Sequence, residues 1–540
     1  MIGRFFTTLG LLTLAGVLLS LAHPSALPGI TTTDNYILNT GWQEIFAWVG
    51  LVPLFFALRD SRGWRLFLWG FYFSTVYFGL SLAWLNIAMA VYGHLPIWLS
   101  LIVYGLLMGY MGLMWGSWIF WSFYIHRRLR VSLPFAFAVC YAPIELTRNY
   151  LLYFGFPWQN LAYSQYLNLP LLQTAAIWGI HGIAFMIVLA NGIFYELWRW
   201  RKSRGAHPFP RAAVVTLVAL LGFSYAYGVY RLSANERLEA AAPKFKAAMV
   251  QGNIDQTMKN QSAAYAPHIL KVYQGLSLQA PEDVELVIWP EASFPYGIRD
   301  DIASLARVMG SAWPSRAPWH MLIGISSYLN VGRQRHYYNT GFLFDPEMNV
   351  LGKSAKSHLV PFGEFVPFGD FFGIDEITPF AGSFKPGQLG KGLSFDGYRF
   401  GVLICYEGIF PEITREYVEM GMEFLVNITN DAWYGVSAAP YQHLAFYAFR
   451  TVEARKALLR TANTGFTGAI DTSGRIVQNS KLFTRTLSIA SVPRLTEKTL
   501  YARTGDVFAW ACLAAMLFWM VKGIVPQRAP LPAAKKHRKR

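Results

Sequence analysis

Three cysteines in 540 residues are too few for a disulfide framework. Cys140 and Cys512 lie inside long apolar runs, which leaves Cys405 as the one thiol outside them. Acidic side chains are scarce as well: 31 Asp and Glu stand against 47 Lys and Arg, a formal charge of +16. Such an excess suggests a nucleic-acid partner only where it forms a patch. Here the cations collect in short loops between apolar runs and in the tail Lys535, Lys536, Arg538, Lys539 and Arg540. That is the pattern of a positive-inside membrane protein, and no nucleic-acid partner is expected. The eleven histidines show no zinc-type clustering, and Gly387, Gly390 and Gly392 do not form a dinucleotide fingerprint. Neither a metal nor a nucleotide cofactor is expected.

Apolar residues are abundant. A hydrophobic share of 54% and a mean hydropathy of +0.29 exceed what a soluble enzyme carries, and 19 Trp suit a headgroup interface. Apolar runs extend from about Phe5 to Ala22, Trp42 to Leu58, Leu66 to Met89, Leu95 to Tyr124, Val131 to Leu146, Leu171 to Trp198, Ala212 to Tyr230 and Val507 to Val521. Each approaches the roughly 20 residues that cross a hydrocarbon core, the second and fifth being short. Eight spans are expected.

Loop charge sets their direction. The loops carrying Arg59, Arg62 and Arg65, then Arg127, Arg128 and Arg130, then Arg199, Arg201, Lys202 and Arg204 belong in the cytoplasm, with the basic tail. The segment after the seventh span then lies outside. The first run also reads as a cleavable signal, with Arg4 ahead of its core and Ser20-Leu21-Ala22 behind it.

Expected domains are therefore a seven-span part over residues 1–231, an extracytoplasmic domain over 232–503, an eighth span over 504–525 and a basic tail over 526–540. Within 232–503, short β-rich runs alternate with helical ones. Strands are expected at Lys246 to Gln251, Leu286 to Trp289, Met321 to Ser327, Thr340 to Phe344, Phe400 to Ile404, Phe424 to Ile428, Gly465 to Ile470 and Leu487 to Val492. Helices are expected near Ser262 to Gln279, Phe410 to Gly421 and Tyr441 to Arg455. The domain reads as α/β, with buried strands covered by helices.

Cys405 closes the apolar run Phe400 to Ile404, ahead of a helix expected near Phe410-Pro411-Glu412. A thiol on such a turn is exposed at the sheet's end, where the helix's positive end favours the thiolate. Burial statistics alone favour an inert core cysteine. Glu291 ends the run Val287-Ile288-Trp289 just after Pro290, where it suits a general base, a helix cap or a surface charge. Lys356, in Lys356-Ser357-His358-Leu359-Val360-Pro361-Phe362-Gly363-Glu364, lies in a mixture typical of an ordered functional loop and could stabilise an oxyanion, with Lys353 as its rival. His358 and His443 could activate a thiol, but neither has an identifying spacing.

Taken together, Trp289-Pro290-Glu291, then Lys356 through Glu364, then Cys405-Tyr406-Glu407 resemble the Glu, Lys and Cys motifs of the nitrilase superfamily in order and spacing. With spans on both sides, the whole chain resembles the apolipoprotein N-acyltransferase family of Gram-negative envelopes. That resemblance also covers Val250 to Ile254, Asn427 to Gly435, Pro440 to His443, Arg460 to Gly465 and Gly155 to Asn160. It departs at Asn260, where the family tends to carry Trp after a lysine.

The resemblance implies a polytopic α-helical membrane domain plus a nitrilase-like αββα sandwich facing the periplasm from a bacterial inner membrane. It implies a phospholipid acyl donor, usually phosphatidylethanolamine, and as acceptor the α-amino group of the diacylglyceryl-cysteine of an apolipoprotein. Glu291, Lys356 and Cys405 would be base, oxyanion stabiliser and nucleophile, passing the acyl chain through a thioester. Glu364 and Glu407 would orient Lys356 and the amine, and Tyr406 would border the pocket. Membrane lipid would reach the site beneath a lid including Phe362, Phe365, Val366, Phe368, Phe371 and Phe372, unless those side chains simply pack on the domain. One rival reading is a membrane-tethered amidase that finishes with water. Another is a transporter with an inactive domain, for which Glu145 and Arg148 are nearly the only intramembrane charges.

Overall fold

The computed structural model describes residues 2–25, 42–150, 155–301, 318–365, 384–388, 390 and 392–524. The basic tail and Val366, Phe368, Phe371 and Phe372 lie outside the described residues.

Every apolar run is helical. The helices are α1 (Ile2–Leu21), α2 (Ile45–Val49), α3 (Val52–Leu58), α4 (Trp64–Ser81), α5 (Ile97–Leu129), α6 (Leu133–Tyr150), the short α7 (Leu169–Leu172), α8 (Ala175–Lys202) and α9 (Arg211–Ala241). The second run is split into α2 and α3, with a proline in the first turn of α3, where its missing N–H interrupts no ladder. Among the described residues, α1, α5, α8, α9 and the last helix, Val507–Ile524, are long and apolar enough to cross a membrane by length and composition. α6 is eighteen residues long and carries Glu145, Arg148 and Asn149 in its final turns.

α8 is the hub. Its most apolar stretch is 83% buried, against 17–22% for the corresponding stretches of the other four, so these present apolar side chains outward as lipid-facing helices must. Arg127 on α5 donates to the carbonyls of Leu58, Arg59 and Ser61, and Arg128 donates to that of Gly523. Two of the basic loops and the end of the last helix therefore meet at one end of the bundle. At the other end, Trp84 and Trp158 both donate to Gln442 of the α/β part.

Among the described residues that part holds two mixed sheets. The first contains β1 (Lys244–Gln251), β2 (Leu286–Ile288), β3 (Ile298–Arg299), β4 (His320–Val331), β5 (Gln334–Phe344), β6 (Val350–Ala355) and β13 (Thr486–Pro493), in the order β13-β1-β2-β4-β5-β6 with β3 also on β4. The second contains β7 (Leu393–Phe395), β8 (Tyr398–Ile404), β9 (Phe424–Thr429), β10 (Leu458–Ala462), β11 (Gly468–Ile470) and β12 (Ile476–Asn479), in the order β12-β11-β10-β9-β8-β7. β1, β2 and β4 run parallel, as do β8, β9 and β10.

Strand alternation places Ile288, Leu322 and Leu343 in one core with Val402, Val426 and Ile428 of the facing sheet. Their neighbours Val287, Ile323 and Phe342 join a second core under the helix Ala266–Ser277. A Cβ on Gly341 would stand 3.4 Å from Ile428 and 3.5 Å from Val402, so the sheets pack face to face. Helices α10 (Gln256–Asn260), α11 (Ala266–Ser277), α12 (Pro411–Glu419), α13 (Ala439–Ala454) and α14 (Leu500–Thr504) complete the part, and α15 (Val507–Ile524) returns to the bundle. α11 lies on the first sheet and α12 on the second, which gives the αββα layering.

Candidate active site

The C-terminal ends of the parallel strands converge, the place where open α/β sheets gather ligands. Glu291 follows β2, Cys405 follows β8, Asn430 follows β9 and Asn463 follows β10, while Lys356 follows the antiparallel β6.

Cys405 opens a 3₁₀ turn, Cys405–Ile409, that precedes α12. Its φ of +52° is a left-handed value that a non-glycine residue keeps only when its surroundings hold it there. The Tyr447 hydroxyl donates to its carbonyl at 2.9 Å. The residue is only 7% exposed. Burial first, and then the Glu291 carboxylate, pushes the thiol up to about 12, against the opposing pull of Lys356 and a hydrogen bond to Thr429. The structure thus corrects the expectation of an exposed thiol held as thiolate by a helix end. The α-helix begins only at Pro411, and desolvation keeps the thiol protonated at neutral pH.

Glu291 is buried, with both carboxylate oxygens engaged. Oε1 accepts from Asn339 Nδ2 at 2.6 Å and Oε2 from the backbone N–H of Asn430 at 2.9 Å. Lys356 Nζ lies 3.7 Å from Oε1, too long for a hydrogen bond but well inside charge contact. Lys356 itself, 1% exposed, donates to Glu364, with Nζ 2.9 Å from Oε1 and 2.8 Å from Oε2. Burial opposes its charge, but Glu364, Cys405 and Glu291 outweigh burial and raise its proton affinity. Glu364 is fixed in turn by the N–H of Val360 at 2.9 Å and by Asn339 at 3.2 Å. The rival Lys353 points elsewhere and pairs with Asp300 at 2.7 Å.

Glu407 does not face the other charged groups. One oxygen accepts from the N–H and hydroxyl of Ser357 at 2.6 and 2.7 Å, the other from the N–H of Ile404 at 2.8 Å. It staples the loop after Lys356 to the strand end before Cys405. Burial raises its proton affinity against those donors. Tyr406 turns toward the bundle. Its hydroxyl donates to the Gly155 carbonyl at 3.0 Å and its ring stacks on Phe156. Phe362 is exposed and Phe365 half-buried.

Neither histidine approaches the thiol as a base. His443 Nδ1 is 3.1 Å from Asp431 and its Nε2 3.3 Å from the Tyr447 hydroxyl, and burial lowers its proton affinity. His358 packs on Phe410. Glu145 and Arg148 are fully buried and pair with each other, and Arg148 also donates to the carbonyls of Phe156 at 2.7 Å and Trp158 at 2.5 Å. They hold the segment beneath Tyr406.

Sequence reasoning missed two contributors. Asn339 bridges Glu291 and Glu364 from β5, and nothing in Tyr337-Tyr338-Asn339-Thr340 announces it. Lys259 donates to the Glu291 carbonyl at 3.0 Å. Burial brings its amine down to about 8, against the pull of Glu291 and Cys405. Among the described residues no three His, Cys, Asp or Glu side chains stand together as a metal-ligand set.

A buried thiol, a carboxylate and an ammonium within mutual charge contact can run acyl transfer through a covalent intermediate. Family models match two stretches: one described as an apolipoprotein N-acyltransferase N-terminal domain over residues 15–193, the other as a carbon-nitrogen hydrolase over residues 246–500. The chain is 37% identical over 509 residues to a Geobacter metallireducens protein named apolipoprotein N-acyltransferase, covering 93% of this chain and 92% of that one. It is 33% identical over 403 residues to a Bradyrhizobium diazoefficiens protein of the same name, covering 70% and 71%. A Saccharomyces cerevisiae structure described as a nitrilase-superfamily member aligns at 17% identity with a TM-score of 0.35, over 46% of this chain and 90% of that one.

Proposed function

The chain belongs to the apolipoprotein N-acyltransferase family, and from that premise we propose how its own residues move a fatty acyl chain from a phospholipid to the N-terminal amine of a diacylated apolipoprotein. The observation that carries the mechanism is the buried Cys405 thiol beside a carboxylate and a cation fixed by Glu364. Glu291 takes the thiol proton as Cys405 Sγ attacks the ester carbonyl of the donor, and Lys356 stabilises the oxyanion. The carbonyl–oxygen bond breaks, the lysophospholipid leaves with the proton from Glu291, and the acyl group remains on sulfur. The incoming α-amine then attacks the thioester and gives a proton to Glu291. The C–N bond forms, the C–S bond breaks, and the thiolate recovers its proton.

Glu364 holds Lys356 in place, and Glu407 and Tyr406 hold the turn that carries the nucleophile. The family resemblance points to phosphatidylethanolamine as the donor. Drawing a ~16-carbon chain into water would cost on the order of 10 kcal/mol, which argues for a site that opens to the bilayer beside residues such as Phe362. We place residues 1–231 and 504–525 in a bacterial inner membrane, with the tail 526–540 cytoplasmic and 232–503 in the periplasm. The gathering of basic loops at the end of the bundle away from the α/β part supports that orientation.

Intact-mass analysis after incubation with phospholipid and no acceptor tests the reading. An acyl increment on Cys405 that hydroxylamine removes is expected, and Cys405→Ala should carry none. Acyl transfer to an apolipoprotein without any such adduct would sink the two-step mechanism.

A further inference from the structure

The five-residue helix α10 has no part in the chemistry above, yet its polar side chains lead to Glu291 by two routes. Lys259 Nζ donates to the Glu291 backbone carbonyl at 3.0 Å. Gln256 Oε1 accepts from Asn430 Nδ2 at 2.8 Å, and the backbone N–H of that same Asn430 donates to Glu291 Oε2 at 2.9 Å. Gln256 is oriented by Asn260, whose Oδ1 accepts from Gln256 Nε2 at 2.9 Å. Asn463 closes the arrangement by donating to Asn430 Oδ1 at 3.0 Å and to the carbonyl of Ile254, just ahead of the helix, at 2.8 Å.

The far side of Glu291 is equally confined. A Cβ on Gly324 would meet the Pro290 carbonyl at 2.3 Å and Glu291 Cα at 2.8 Å, so β4 lies directly against this turn. Ala292, next in sequence, sits at φ +43°, a conformation that persists only where neighbours enforce it. With β4 as the wall, the helix is the clamp.

We propose that Lys259 and Gln256 are positioning residues for Glu291. Lys259 fixes the backbone of the base, and Gln256, through Asn430, fixes one oxygen of its carboxylate, so that the other oxygen, bonded to Asn339, keeps a single orientation. The inference rests on Glu291 being the base. It also accounts for Asn260, where the sequence departs from the resemblance. An amide oxygen there accepts the bond that orients Gln256, whereas an indole has only a donor to offer.

The test uses the full-length chain in phospholipid vesicles. Single-turnover formation of acyl-Cys405 is followed at several donor mole fractions for Lys259→Met, Lys259→Arg, Gln256→Ala and the milder Asn260→Ala, with Glu291→Gln as reference. Misplacing a catalytic group by about 1 Å costs on the order of 10²-fold, so Lys259→Met and Gln256→Ala should slow saturated acylation roughly 10–100-fold. The half-saturating donor fraction should stay within about twofold, as expected of residues that act through Glu291 and not on the donor. Lys259→Arg should recover much of the rate, and Asn260→Ala, which an α-helix accommodates, should give a smaller slowing of the same kind.

Wild-type acylation rates in Lys259→Met and Gln256→Ala overturn the proposal. So does a defect confined to donor saturation, which would make Lys259 a lipid contact. If Glu291→Gln itself acylates at the wild-type rate, the base assignment fails. If Glu291→Gln is slow while the helix variants are fast, only the positioning role fails.

Discussion

Two buried charge clusters flank Cys405, one from each sheet, and they are built differently. On the first sheet, Glu291, Lys356, Glu364 and Asn339 leave gaps: Lys356 stops 3.7 Å short of Glu291, and Asn339 Oδ1 has no hydrogen-bond partner among the described residues. On the second, Asp431, Arg460 and His443 are closed. Arg460 donates to Asp431 and to Asn427, each at 2.6 Å, and His443 completes the other oxygen of Asp431. Burial works against the Asp431 charge, but Arg460 and His443 win and hold its carboxyl down to about 2. A saturated cluster fixes a fold. An unsaturated one, costly to bury, retains capacity for a substrate.

Replacing one member of each cluster should separate these roles. Glu291→Gln keeps an acceptor for the Asn430 N–H, turns an NH2 toward Asn339 Nδ2 and removes the proposed base, so acyl-Cys405 formation should fall by roughly 10²–10⁴-fold. The thermal midpoint should fall by less than in Asp431→Asn, since Lys356 keeps its closer partner Glu364. Single-turnover acylation and a melt of the same preparation measure both, and an active Glu291→Gln would end the contrast from the catalytic side.

Asp431→Asn should behave in the opposite way. It leaves the buried Arg460 cation short of its partner, a loss that costs about 3–5 kcal/mol in comparable buried pairs. Denaturant unfolding would read that loss, while the protein that remains folded still acylates Cys405. Unchanged stability would mean that the closed cluster does not hold the fold.

The thiol between the clusters offers a pH test. Because burial and Glu291 push Cys405 up to about 12, its thiolate fraction at pH 7 is minute and rises with pH. Alkylation of Cys405 by iodoacetamide should climb about tenfold per pH unit between pH 7 and 10. A plateau near pH 8.5 would indicate an ordinary thiol, and a flat, fast profile would indicate a preformed thiolate needing no base.

Much of this was legible in the sequence, because the strands that bear the key residues are short apolar runs ending in an isolated polar residue. Trp289-Pro290-Glu291 and Phe400 to Cys405 both have that form. β6 and β10 did not stand out. Val350–Ala355 is a largely solvent-accessible outer strand with Gly, Lys and Ser in its middle, and Leu458–Ala462 carries the buried Arg460 in its middle. Nor could spacing show that Glu407 turns from the reacting groups to staple Ser357, since that depends on how β6 and β8 approach each other from different sheets. The protonated state of the thiol was hidden for the same reason: burial is a property of the assembled layers.

Tyr447 ties the second cluster to the turn that carries Cys405. Its hydroxyl donates to the Cys405 carbonyl at 2.9 Å and lies 3.3 Å from His443 Nε2, while the Arg460 guanidinium sits 4.9 Å from its ring centre. Tyr447→Phe keeps the ring and its cation contact and removes one hydroxyl. Losing a single buried hydrogen bond of this kind costs about 1 kcal/mol, so both stability and acylation should decline modestly, the rate by no more than about tenfold. Cys405 would keep its left-handed turn, because Glu407 still binds the N–H of Ile404 at the strand end. A loss of acylation as deep as that of Glu291→Gln, at unchanged stability, would show that the closed cluster reaches into the chemistry through this hydroxyl and would dissolve the division between the two sheets.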